Sequence, residues 1–210
     1  MKPVLVINPN SSAKTTDAMV AITRRHLPVV QGWTNADAPA MITTPAALAS
    51  AADLVCSAVL PETRAVIVAA FGDPGVQRLA ARLPCPVIGI GAAAARAAAK
   101  DGTRFAVATT TAQLGPSIDA LMLAHGVAGT YLGSFMTVGA PEALLADPAA
   151  LDAALLQACL NARDAGAQRI IIGGGPLAEA AIRLEPQIDV PLVQPLVAAS
   201  KEVAALLGPA

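Results

Sequence analysis

The chain has 210 residues and a net charge of −1, from 14 basic and 15 acidic side chains spread along its length. That balance supplies no basic stripe for a phosphate backbone, and with aromatics at 2% there is little on which bases could stack, so nucleic acid is not an expected partner. Hydrophobic residues reach 55% and the mean hydropathy is +0.58. Even so, the apolar runs at 83–95 and 127–140 are broken by Pro or Gly and fall short of the roughly 20 residues of a membrane span, so no membrane association is expected.

Aliphatic runs alternate with alanine-rich helical stretches, the pattern of repeated βα units and a parallel sheet. In chain order, strands are expected at 3–8, 31–35, 65–70, 87–90, 104–109, 129–132, 169–173 and 192–193. Helices are expected at 14–26, 45–60, 75–83, 92–100, 114–125, 148–166, 177–184 and 195–207. Asp147 followed by Pro148 reads as an N-cap with proline at the first helical position. Gly126 and Gly166 read as C-terminal caps. No basic segment followed by an apolar one opens the chain, which points to a cytoplasmic protein. Alanine-rich helices offer flat apolar surface, so a homo-oligomer is expected.

The chain repeats itself. A strand followed by Asn8–Pro9–Asn10–Ser11–Ser12 and a later strand ending AAFGDPG have counterparts in a strand followed by Thr109–Thr110–Thr111 and a later strand ending GGGPLA. From Asn8 to Ala70 is 62 residues, and from Thr109 to Gly174 is 65. The reading is α/β, with two pseudo-symmetric lobes, each a mostly parallel sheet flanked by helices, and a ligand cleft between them. Residues 1–97 form the first lobe and 98–192 the second. Residues 193–210 form a closing helix packed back on the first lobe. All four loops would then lie at the carboxyl ends of strands and face one cleft.

The loops carry the chemistry. Ser11 or Ser12 can cap the first helix, whose amides favour an anionic or carbonyl oxygen, and Asn10 can donate and accept; plain capping with an Asx-turn would account for the same residues. Thr109 and Thr110 could donate hydroxyl hydrogen bonds to a carboxylate or imide, or simply favour the strand. In Phe71–Gly72–Asp73–Pro74, the Asp73 carboxylate is either a general base raised by burial or a cap for the helix starting near Gly75. Gly173, Gly174, Gly175 and Pro176 allow close backbone approach to a ligand. No Walker or dinucleotide fingerprint appears, so nucleotide binding is disfavoured. Cys56, Cys85 and Cys159 are well separated, without CxxC spacing, and His26 and His125 stand alone near helix ends; no metal site is expected.

Taken in order, INPNSS at 7–12, ITTP at 42–45, AFGDPG at 70–75, PVIGIG at 86–91, ATTTA at 108–112 and IIGGGPLA at 171–178 resemble the Asp/Glu/hydantoin racemase superfamily, its hydantoin racemase branch most closely. The resemblance covers nearly the whole chain. It implies two α/β lobes, no cofactor, a small-molecule substrate and racemisation or related carbanion chemistry by two opposed cysteines. The positions it assigns to those thiols hold Ala70 and Gly174. It also implies a glutamate where Ala92 stands and an aspartate where Gln194 stands.

Without two thiols, two functions are expected from the sequence. One is altered cofactor-independent carbanion or enolate chemistry on a small carboxylate, amino-acid derivative or cyclic ureide. Asn8, Asn10, Ser11, Ala70, Phe71, Gly72, Thr109, Thr110, Gly173, Gly174, Gly175 and Pro176 would line the site, with Asp73 the one nearby proton acceptor. The other is a small-molecule-binding homologue without catalysis, or a variant from which the cysteines were removed.

Overall fold

A computed structural model describes residues 1–208; residues 209–210 of the expected closing segment lie outside the described residues. Eight strands form in chain order: β1 Val4–Asn8, β2 Val30–Thr34, β3 Ala65–Val68, β4 Val87–Gly89, β5 Phe105–Thr109, β6 Tyr131–Met136, β7 Arg169–Ile172 and β8 Leu192–Val193. They build two parallel four-stranded sheets of the same topology, β2-β1-β3-β4 and β6-β5-β7-β8. Registers match as well: Val4 pairs with Ala65 and Ile7 with Val68 in the first sheet, while Phe105 pairs with Arg169 and Ala108 with Ile172 in the second. The expected α/β fold with two related lobes is the observed one.

The helices are α1 Ala13–Thr23, α2 Pro45–Ser57, α3 Val76–Arg82, α4 Ile90–Ala98, α5 Gly115–His125, α6 Pro141–Ala146, α7 Pro148–Asp164, α8 Ala178–Leu184 and α9 Pro195–Leu207. Their starts follow local chemistry. Ser12 accepts from the amide of Thr15, Thr44 from Ala47, and Asp147 from Ala149 and Ala150, with proline just inside α2 and α7.

Strand alternation sends successive side chains to opposite faces, and both faces are covered. In the first sheet Val4, Val6, Ala65 and Ile67 meet α1 and α9, while Leu5, Ile7, Val66 and Val68 meet α2 and α3. In the second, Ala106, Ala108, Ile170 and Ile172 meet α7 and α8, while Phe105, Val107 and Ile171 meet α4 and α5. The last helices are therefore exchanged. α4 follows the last strand of the first sheet yet presents Ala94, Ala95 and Ala98 to the core of the second, and α9 follows the last strand of the second yet buries Leu196, Ala199 and Val203 on the first. Alanine makes this possible, since α4 must lie close to both the second sheet and α9, where larger side chains would not fit. Arg96 on α4 grips Glu202 on α9 with Nη2 at 2.8 Å from Oε1 and 2.9 Å from Oε2.

Two differences from the sequence expectation have clear causes. β6 runs to Met136 rather than stopping at 132, because Gly133 (φ +113°) absorbs an extra residue where the register against β5 shifts between Phe105 and Val107, a bulge rather than a turn. The short helix α6 was not expected; a Pro141 start followed by a single helical run of six residues gives little periodicity to detect.

Candidate functional site

The loops at the carboxyl ends of β1, β3, β5 and β7 surround a cleft with about 590 Å³ of empty space including its mouth. Both lobes contribute. The first lobe supplies Asn10, Met19, Met41, Ile42, Ala69, Ala70 and Phe71, and the second supplies Thr110, Thr111, Leu114, Leu145 and the segment from Gly173 to Leu177.

Ala70 and Gly174 are structural counterparts. The amide of Ala69 donates to the Ile7 carbonyl at 2.8 Å and the amide of Gly173 to the Ala108 carbonyl at 2.9 Å, so each following residue leaves its strand at the same point. Each then opens an equivalent turn: the Asp73 amide donates to the Ala70 carbonyl at 3.0 Å and the Leu177 amide to the Gly174 carbonyl at 3.1 Å. Gly174 has φ +154°, backbone that favours glycine, and a Cβ there would come within 3.1 Å of Leu177. Glycine also lets the lobes meet. A Cβ at Gly173 would lie 2.7 Å from Cε1 of Phe71, and one at Gly175 would overlap the Met19 methyl and come 3.2 Å from the Ala69 carbonyl.

Of the residues expected to bind a ligand, Asn10, Ala70, Phe71, Thr110, Gly173, Gly174, Gly175 and Pro176 line the cleft. Four do not. Asn8 is fully buried, with Nδ2 donating to Asn10 Oδ1 (2.8 Å), the Ser12 carbonyl (3.0 Å) and Thr16 Oγ1 (3.0 Å); it braces the loop from behind. Thr109 is fully buried, its hydroxyl donating to the Gly173 carbonyl at 2.6 Å. Ser11 sits outside the lining, and the capping hydroxyl is that of Ser12. Gly72 faces a separate recess behind the loop.

Asp73 requires the largest correction. It neither enters the cleft as a proton acceptor nor caps α3. Its carboxylate accepts from the Gly91 amide at 2.8 Å through Oδ1 and from the Ala92 amide at 2.7 Å through Oδ2, capping the first turn of α4, and it lines the recess that also holds Arg78, Arg96, His125 and Glu202. Burial pushes its carboxyl up to about 6, against the opposing pull of the two amide bonds and of Arg96.

The cleft wall thus contains, among the described residues, no Asp, Glu, His, Cys, Lys, Arg or Tyr. Its polar side chains are Asn10, Thr110 and Thr111. Asn10 Oδ1 is held by Asn8 and by the Ser12 amide, and among the described residues neither Asn10 Nδ2 nor the Thr110 hydroxyl has a hydrogen-bond partner. The Gly174 and Gly175 amides are likewise without acceptors among the described residues. The remaining surface is apolar, and Met19, Met41, Leu114, Leu145 and Leu177 are the part that sequence reasoning missed. Their signal in the sequence is that of ordinary core residues. Cys159 lies in the second lobe's core, its thiol pushed up to about 12 by burial, and Cys56 and Cys85 pack at the edge of the α2–α3 side; none of the three lines the cleft. No group of three His, Cys, Asp or Glu side chains suited to a metal ion occurs among the described residues, and no helix among them is long and apolar enough to cross a membrane.

Known proteins share both this sequence and this architecture. A hydantoin racemase of Rhizobium meliloti is 31% identical over 215 residues, which covers 97% of this chain and 88% of that protein. The crystal structure of an allantoin racemase from Pseudomonas fluorescens superposes with a TM-score of 0.90 at 27% identity, covering 98% of this chain and 90% of the other. An allantoin racemase from Klebsiella pneumoniae gives a TM-score of 0.83 at 27% identity, with coverage of 99% and 88%. The profile of the Asp/Glu/Hydantoin racemase family matches residues 4–203, which is nearly all of the two-lobed fold and the whole cleft. The chain belongs to the Asp/Glu/hydantoin racemase family.

Proposed function

We propose that the protein binds a small cyclic ureide of the hydantoin and allantoin type in its interlobe cleft and does not carry out two-base racemisation. The observation behind this reading is the cleft wall itself, which offers hydrogen-bond donors and apolar surface but no titratable side chain. Racemisation by proton removal on one face and delivery on the other needs a base and an acid in near-contact with the carbon. At the two counterpart positions where the resemblance implies thiols stand Ala70 and Gly174. A ring ureide presents carbonyl oxygens that match the Asn10 amide, the Thr110 hydroxyl and the Gly174 and Gly175 amides, while the Thr111 hydroxyl donates to Thr109 Oγ1 at 3.3 Å. A free amino acid matches less well, because the charged side chains Lys14, Glu142 and Glu179 line adjoining recesses rather than the wall itself. The reading takes the protein to be cytoplasmic, homo-oligomeric and cofactor-free, as its composition and family suggest.

Calorimetric titration with hydantoin and with allantoin tests binding, and incubation of the bound ligand in deuterated water tests chemistry. Saturable binding with no deuterium entering at the ring C5 is the expected result. Absence of binding to both ligands would overturn the reading.

A second reading has its own support. Four donors lining a largely apolar cleft, from Asn10, Thr110, Gly174 and Gly175, are suited to stabilising an enolate formed from the ligand, with water moving the proton. Deuterium entry at C5 above the uncatalysed rate would favour this reading over simple binding.

A further inference from the structure

We propose that Asp73 is a positioning residue of the cleft, clamping the Ala70–Phe71 turn to the first turn of α4 and so fixing one cleft wall relative to the other. Three observations meet at this side chain. The carboxylate takes one amide on each oxygen, Gly91 at 2.8 Å and Ala92 at 2.7 Å, while its own amide closes the turn onto the Ala70 carbonyl at 3.0 Å. Ala70, which lines the cleft, and the helix that enters the second lobe's core are therefore joined through a single amino acid.

The place is built for it. A Cβ at Gly89 would overlap the Asp73 carboxyl carbon, and one at Gly91 would lie 3.2 Å from Oδ1. Two glycines thus clear a socket of carboxylate size. Asp73 also holds φ +51°, a left-handed conformation uncommon for a residue with a side chain, which persists where surrounding contacts over-determine it.

The second lobe shows what the clamp replaces. Leu177 occupies the same turn position as Asp73, but it is buried in the core of its own lobe and is held there by packing. The first lobe's turn lies against the exchanged helix instead, and a charge-assisted pair of hydrogen bonds does the holding. The groups facing the carboxylate are Arg78 from α3, Arg96 from α4, His125 from α5 and Glu202 from α9.

Asp73→Asn tests the proposal, because an amide keeps the shape but can accept only one of the two bonds. Amide hydrogen exchange read residue by residue should rise about tenfold or more at Gly91 or Ala92 and at residue 73, whose amide closes the turn onto the Ala70 carbonyl, with β1 and β5 unchanged. Hydantoin affinity, read by calorimetry, should fall by a similar factor. Should Asp73→Asn not fold, the same exchange is read on Asp73→Gly, which suits φ +51° and removes both acceptors. Exchange at residue 73 that stays at its starting value, after correction for intrinsic rates, overturns the proposal. Failure of hydantoin and allantoin to bind the unaltered protein would remove the ligand reading, while the exchange result would still decide the role of Asp73.

Discussion

The hydroxyl of Thr109 donates to the carbonyl of Gly173 across 2.6 Å, tying the end of β5 to the glycine run that forms one wall of the cleft. Thr109 is fully buried, so a β-branched isostere without the hydroxyl would leave that carbonyl unpaired in the interior. Thr109→Val is expected to lower stability by about 1–3 kcal/mol, whereas Thr109→Ser, which keeps the donor, should lose less. Urea denaturation of both variants measures the difference.

The pair at 70 and 174 should respond unequally to the same substitution. Ala70 already carries a Cβ, so Ala70→Cys is expected to change stability by no more than about 0.5 kcal/mol. Gly174→Cys places a side chain at φ +154° and 3.1 Å from Leu177, and about 1–3 kcal/mol should be lost. If the family's two-thiol chemistry lacks only these groups, the double variant should racemise an optically active hydantoin while each single variant does not. Decay of optical rotation gives the answer.

Asp73 should leave its mark on stability against pH. Its folded value of about 6 lies above the roughly 3.9 of an unfolded aspartate, so between those values the folded chain holds a proton that the unfolded chain has released. The associated stability is complete below about pH 4 and is lost as the pH rises through about 6, by at most about 3 kcal/mol. Asp73→Asn should flatten that part of the profile, as followed by thermal unfolding from pH 4 to pH 7.

Two glycines of the same loop should tolerate alanine differently. At Gly173 the new methyl meets the Phe71 ring at 2.7 Å and Val107 at 2.9 Å, both packed in the second lobe's core, so overpacking should cost about 1–3 kcal/mol. At Gly175 the main obstacle is the terminal methyl of Met19, an unbranched side chain able to swing aside, so Gly175→Ala should keep more stability but narrow the cleft. Denaturation midpoints and hydantoin affinity separate the two effects.

Strands and lobes were legible in the sequence because the aliphatic runs were short, punctuated by Gly and Pro, and repeated at nearly equal spacing. The counterparts Ala70 and Gly174 followed from that spacing alone. Side-chain direction was not legible. Asn8 and Asn10 are two residues apart on one loop, yet one is locked inside by three hydrogen bonds and the other lines the cleft. Asp73 could be read as a cap or a base from its neighbours in sequence, but its partners, Gly91 and Ala92, lie 18 and 19 positions away and belong to a later helix. Met41 reaches the cleft from the connector that follows β2 and Leu145 from the short helix α6, segments whose apolar residues look no different from those of the core.

Because α4 and α9 each cover the other lobe's sheet, chain order and physical unit do not coincide in this protein. Removing everything after β8 would leave α1 without α9 beside it on one face of the first sheet, although the removed segment follows the second. Neither sheet can be finished until the chain has been made almost to its end. The two halves should therefore gain and lose their structure in a single transition, and the cleft between them is a seam within one interlocked body.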